Sequence, residues 1–169
     1  LAVDDFFTGA EVAWIKDPAV REAVKDIAGQ SRLKLGYAGQ PTLLLQGLSL
    51  NDADDDGRAE AVTQIKACVD EAKELGCGRV GVLSGPLPEG VELDRALDWL
   101  ADSITQLCQY GQEQGLGITL ETFDHEIDKK SVLGPSKLAA DFAARIKADY
   151  PDFGLLYDLS HMPMLGESA

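Results

Sequence analysis

Strand-like and helix-like segments alternate at a fixed interval in this 169-residue chain, and that interval constrains the fold most strongly. Three apolar, strand-like runs end at Ser84, Glu121 and Asp158, and consecutive ends lie 37 residues apart. A segment with helical spacing of apolar residues fills each gap, which predicts parallel strands joined by helices. A βα unit repeated in this way is typical of a barrel or of a doubly wound sheet.

The same spacing rules, together with glycine and proline signals, predict the remaining elements. The predicted helices cover residues 18–28, 58–75, 93–114 and 135–149, and the predicted strands cover 11–15, 33–37, 79–83, 117–121 and 153–157. The long connection between Tyr37 and Arg58 contains a short apolar run, but Pro41 and Gly47 argue against a helix there. We expect residues 1–169 to form one α/β domain.

The composition excludes several classes of function. The formal charge is −14, from 29 acidic and 15 basic residues, and the Lys129-Lys130 pair is the nearest approach to a basic cluster, so no nucleic-acid partner is expected. No apolar run reaches the roughly 20 residues of a membrane span. Residues 1–5 lack the basic and apolar regions of a signal peptide. The three cysteines have no metal-ligand spacing, so we expect reduced thiols in a cytoplasmic protein.

Two acidic residues, Glu121 and Asp158, close neighbouring strands of the predicted sheet. Adjacent strands lie about 4.8 Å apart, so both carboxylates can reach one cation. Side chains alternate along a strand, so Thr119 and Glu121 face away from the apolar side that covers the helices. Two carboxylates this close repel each other unless a cation neutralises them. Oxygen ligands suit Mg²⁺ or Mn²⁺, and Co²⁺ becomes an option if the imidazole of His161 joins them.

Plainer interpretations of these polar residues remain open. Glu121 and Asp158 can also be solvated acids where strands run into loops, and His125 is expected to be an ordinary loop residue. Residues 52–57 match the opening of an EF-hand calcium loop, but Thr63 stands where that loop needs a bidentate Glu. We therefore expect this acidic stretch to cap the following helix.

Three stretches carry a resemblance to a known family: residues 120–124, 129–135 and 157–161. They resemble the sugar-phosphate isomerase/epimerase group, the xylose-isomerase-like TIM barrels that depend on a divalent metal. The sharpest element is a Glu at one strand end, followed one unit later by Asp-x-x-His. The resemblance implies that Glu121 binds the metal and acts as catalytic acid/base, that Asp158 is a second metal ligand, and that His161 binds a substrate oxygen. It also implies a sugar or polyol substrate and Mn²⁺, Mg²⁺ or Co²⁺ as the cofactor.

The chain departs from the family pattern in two respects: it has no recognisable first strand, and it lacks two of the family's metal ligands. The family takes two further ligands, a His and a Glu, from its seventh and eighth strands, and this sequence ends at Ala169 before either. The expected fold is thus a TIM barrel that is incomplete in this chain, with about strands two to six. Open strand edges favour pairing into a homo-oligomer.

We expect an isomerase or epimerase that removes a proton next to a carbonyl. The alternatives are a metal-dependent phosphodiesterase, because the barrel group includes apurinic-site endonucleases, and a non-catalytic barrel fragment.

Overall fold

A sheet of five parallel strands organises the part of the chain that the structure describes, residues 6–168 of a computed structural model. The strands are β1 (Gly9–Val12), β2 (Lys34–Ala38), β3 (Arg79–Leu83), β4 (Gly117–Thr122) and β5 (Gly154–Tyr157). Their order in the sheet is the order in the chain, and every neighbouring pair is parallel. A doubly wound sheet reverses its strand order at a switch point, which this sheet lacks within residues 6–168. The order is that of a barrel segment with crossovers of one hand.

The helices cover one face of this sheet. They are α1 (Pro18–Ser31), α2 (Gln40–Gln46), α3 (Asp55–Leu75), α4 (Leu93–Gln114) and α5 (Ser136–Lys147), and a short 3₁₀ turn spans Met162–Leu165. The side chain of Asp54 accepts a hydrogen bond from the backbone N–H of Gly57 at the start of α3. The acidic stretch before α3 is therefore a helix cap, as its sequence predicts. Gly76 and Gly115 end α3 and α4 in the left-handed conformation that glycine adopts without strain.

One prediction is wrong, and one strand is shifted by two to three residues. The connection after β2 contains the helix α2, because Pro41 lies in its first turn and Gly47 is its left-handed cap. These residues are start and stop signals of a short helix rather than helix breakers. Strand β1 covers Gly9–Val12, two residues earlier than the strand predicted at 11–15. The other predicted helices and strands agree with the structure to within about three residues at each end.

The core lies between the sheet and its helices. Ile118 and Leu120 of β4 face the helices and are almost fully buried, so the predicted alternation along this strand is confirmed. The largest buried groups of this layer include Ile65, Val69, Leu100, Ile104 and Leu107. The opposite face of the sheet, which is the inner face of the barrel segment, carries small and polar residues, among them Gly81, Thr119 and Glu121. The site described below is built on this inner face.

Two further findings concern the expectations drawn from composition. Cys68, Cys77 and Cys108 are buried and free, as expected of structural thiols. No helix within residues 6–168 is long and apolar enough to cross a membrane. Residues 1–5, which were predicted to lack the features of a signal peptide, lie outside the described part of the chain.

Candidate metal centre

The carboxyl ends of β4 and β5 bring three predicted site residues together. Glu121 pairs in register with Leu156, and Asp158 directly follows the last residue of β5. One ligand atom from each of Glu121, Asp158 and His161 lies within 4.8 Å of the other two. Parallel strands end at the same edge of a sheet, which explains why acids 37 residues apart in sequence meet here. That this cluster binds a metal stays a prediction.

The ring of His161 is held from two sides. Its centroid lies 4.5 Å from that of Phe123, with the ring planes tilted by 41°. Its Nε2 lies 3.8 Å from Oδ2 of Asp158, and its backbone N–H donates to the backbone oxygen of Asp158 at 3.0 Å. The other ring nitrogen, Nδ1, is buried and has no hydrogen-bond partner among residues 6–168. Buried polar atoms are normally paired, so this nitrogen suggests a partner that binds from outside the chain.

The side chain of Asp158 is nearly half exposed, and the turn that follows it provides a hydrogen-bond donor to its carboxylate. The backbone N–H of Ser160 donates to its Oδ1 at 2.8 Å. Together with the Ser160 hydroxyl and the nearby His161, this hydrogen bond lowers the pKa of Asp158. Asp158 is therefore an ionised ligand candidate at neutral pH.

The carboxylate of Glu121 is half-buried, and its surroundings shift its pKa in opposite directions. Burial raises its pKa above the usual value, and the hydrogen bond from Gln40 opposes that rise. The neighbouring carboxylates of Glu11 and Asp158 raise the pKa further, whereas His161 lowers it. The net shift of the Glu121 pKa is upward, and burial is its largest cause.

Two residues near Glu121 were not predicted from the sequence to belong to the site. Glu11 lies on β1, and Gln40 follows the end of β2, where its Nε2 donates to Oε2 of Glu121 at 2.7 Å. Gln40 also stands close behind a strand end, but an amide at such a position is common and does not by itself indicate a site.

The donor set fits a divalent cation. Two carboxylates and one imidazole are ligands of Mn²⁺, Mg²⁺ or Co²⁺, and an added positive charge would relieve the repulsion between Glu121 and Asp158. The cluster lies at an open edge rather than in a closed cavity, because Asp158 and Leu159 are exposed. A cleft of about 500 Å³ lies elsewhere, lined by residues of α2 and α3 such as Thr42 and Cys68, and none of the three cluster residues borders it.

The fold and the chain's sequence define the class of protein. Residues 6–168 match the family model of the xylose isomerase-like TIM barrel, so the chain belongs to that family. Family membership and strand order agree, and both confirm the predicted α/β barrel architecture. A comparison with proteins of curated function finds no significant match.

Several solved structures have a fold similar to that of this chain. A D-tagatose 3-epimerase-like protein is 18% identical with a TM-score of 0.74, and the match covers 92% of this chain and 57% of that one. D-psicose 3-epimerase from Clostridium cellulolyticum H10, solved with D-tagatose, is 15% identical with a TM-score of 0.77, over 96% and 57% of the two chains. The IolI protein with a bound zinc atom is 16% identical with a TM-score of 0.77, over 95% and 56%. This chain thus spans somewhat more than half the length of these relatives.

Proposed function

We propose that this chain carries part of the active site of a divalent-metal-dependent isomerase or epimerase that acts on a sugar or a related polyol. The observation that carries the proposal is the cluster of Glu121, Asp158 and His161, whose ligand atoms lie within 4.8 Å of one another. The cluster stands at the carboxyl ends of barrel strands, where barrel enzymes place their catalytic residues. The names of two similar structures, a tagatose 3-epimerase-like protein and a psicose 3-epimerase, support a sugar substrate.

In this proposal the three residues have different roles. Glu121 and Asp158 hold the metal, which when bound polarises a carbonyl oxygen. Glu121 also moves the proton at the carbon next to that carbonyl, which is the acid/base role that the family resemblance implies for this residue. His161 binds a substrate oxygen, and Phe123 holds its ring in place. An acidic site without a basic cluster suits a neutral polyol better than a nucleic acid.

The decisive experiment is a calorimetric titration of this chain with Mn²⁺. The wild type is compared with the Glu121→Gln/Asp158→Asn double variant, which removes both carboxylates from the cluster. A control double variant, Asp102→Asn/Glu113→Gln, makes the same change in net charge on the exposed side of α4. We expect micromolar binding in the wild type and the control, and at least a hundredfold loss in the Glu121/Asp158 variant.

Two results would contradict the proposal. One is millimolar or absent binding in all three proteins, which would show that Glu121, Asp158 and His161 do not form a working metal site in this chain. The other is equal loss in the control, which shows that net charge rather than the cluster attracts the ion.

The role of His161 is tested by the kinetics of sugar epimerisation. His161→Ala should raise the substrate KM more than it weakens Mn²⁺ affinity, because the imidazole contacts substrate in this proposal. Glu121→Gln should abolish proton transfer while it weakens metal affinity moderately. Wild-type rates in both variants would contradict the assignment of the site.

A further inference from the structure

Gln40 makes a hydrogen bond that links the end of β2 to the end of β4. It is the first residue of α2, just beyond β2, and its side chain lies across the inner face of the sheet. Its Nε2 donates to Oε2 of Glu121 at 2.7 Å, although the two residues are 81 positions apart in sequence. Gln40 itself is only 5% exposed. A hydrogen bond from a buried amide N–H to a carboxylate is charge-assisted and short.

The sheet leaves room for this side chain at Gly81 of β3. A Cβ at Gly81 would lie 2.7 Å from Nε2 and 3.1 Å from Oε1 of Gln40, so a larger residue there would displace the amide. The backbone beside it is also fixed, because the N–H of Gly39 donates to the oxygen of Gly81 at 2.8 Å. The path of the Gln40 side chain toward Glu121 is therefore set by close contacts with β3.

The buried amide is only partly satisfied. Its Oε1 is buried and accepts no hydrogen bond from any residue between 6 and 168. Burying a polar amide with one unpaired atom opposes folding, and unpaired polar atoms of this kind call for an explanation in function or in an unseen partner. An apolar side chain of similar length would fill the same space without that penalty. The hydrogen bond to Glu121 is the one hydrogen bond of the side-chain amide among the described residues.

We propose that Gln40 is a positioning residue for Glu121, which holds the carboxylate of Glu121 in the orientation in which it meets Asp158 and His161. The inference rests on the proposed function of that site. The amide occupies one oxygen of the Glu121 carboxylate with a hydrogen bond and restricts the rotation of that carboxylate. The cluster therefore has its arrangement before a cation binds. Groups that hydrogen-bond to metal ligands in this way commonly change metal affinity by 10- to 100-fold when they are replaced.

The hydrogen bond is tested first without metal, by a double-mutant cycle in EDTA. Gln40→Glu places two carboxylates in contact and should lower the urea midpoint of unfolding. Combining it with Glu121→Gln exchanges donor and acceptor, and should restore most of that midpoint. If the two single changes simply add in the double variant, the contact between Gln40 and Glu121 does not exist in solution and the proposal is wrong.

The positioning role is tested by Mn²⁺ affinity. Gln40→Met keeps the length of the side chain and removes its donor without adding charge, so it remains informative if Gln40→Glu does not fold. We expect its Mn²⁺ dissociation constant to rise about tenfold. Gln46→Met is the matched control, because Gln46 lies at the other end of α2 and contacts Gln64 rather than the cluster.

The outcomes separate this inference from the proposed function. If the wild type binds Mn²⁺ through Glu121 and Asp158 but Gln40→Met binds equally well, the positioning role is overturned and the metal site stands. If the wild type binds no Mn²⁺ while the cycle is strongly non-additive, the proposed function is overturned and the fixing of Glu121 by Gln40 is supported. Equal weakening in Gln46→Met would overturn the positioning role, since it would show a general effect of α2.

Discussion

The loop that follows β4 depends on one buried carboxylate, and removing its charge should destabilise the protein measurably. Asp124 is 1% exposed, and its two oxygens accept hydrogen bonds from the backbone N–H groups of residues 127–130 at 2.6–3.4 Å. This loop begins directly after Phe123, the residue that packs on His161. Asp124 therefore stabilises the loop that follows Phe123, the residue through which this region contacts the candidate site.

The size of the effect follows from the pKa of Asp124. Burial by itself raises this pKa, but the four backbone donors outweigh burial and lower it from 3.8 to about 2. Each pKa unit corresponds to about 1.4 kcal/mol, so the ionised form contributes about 2 kcal/mol to the free energy of unfolding. Because the folded pKa is the lower one, this contribution is complete above about pH 4 and is lost as the pH falls through about 2.

The assay is urea unfolding of Asp124→Asn and wild type between pH 7 and pH 3. We expect the variant to be about 2 kcal/mol less stable at pH 7, with the difference shrinking as the pH falls below 4. Glu126→Gln is the control, because it removes one charge from an exposed position in the same loop. A difference that is absent at pH 7, or that stays constant down to pH 3, would refute the reasoning. An equal loss in Glu126→Gln would refute it as well.

Two further predictions concern the inner face and the core. Gly81→Ala should displace the Gln40 amide and weaken Mn²⁺ binding severalfold in calorimetry, whereas Gly36→Ala on the neighbouring strand should not, since no described atom lies within 4 Å of its added Cβ. Unchanged affinity in Gly81→Ala would contradict this. Ile104→Ala should cost about 2–5 kcal/mol in urea unfolding because Ile104 is fully buried, whereas Leu87→Ala, at an exposed side chain, should cost under about 1 kcal/mol. Similar losses in both would show that α4 is not part of the core.

Most of the secondary structure could be predicted from local patterns. The faces of α3, α4 and α5 follow from apolar residues at helical spacing, and their buried positions agree with that spacing. The exception is α2, a helix of seven residues that contains Pro41 in its first turn and is capped by Gly47. Proline and glycine destabilise the interior of a helix but are favoured at its ends. Because so short a segment shows less than two full turns, its periodicity cannot distinguish a helix from an apolar loop.

The candidate site was predictable in part for the same reason. Glu121 lies near the end of β4, Asp158 and His161 follow β5, and strand ends can be predicted from the sequence. The 37-residue interval then places the two acids at the ends of adjacent strands. Gln40 carries no such signal, since an amide after a strand is common and its partner lies 81 positions away. Its contact with Glu121 depends on the register between β2 and β3 and on the absence of a side chain at Gly81.

The sequence by itself determined the repeat of strand and helix, the apolar side of each element and the acids at two strand ends, because these depend on spacings of two or 3.6 residues along one segment. Only the tertiary structure decided that the strands follow chain order in the sheet, that Phe123 packs on His161 and that Gln40 reaches Glu121. Contacts of this second kind join segments that are distant in sequence. They form only once the register of the sheet and the paths of its connecting loops have brought the segments together.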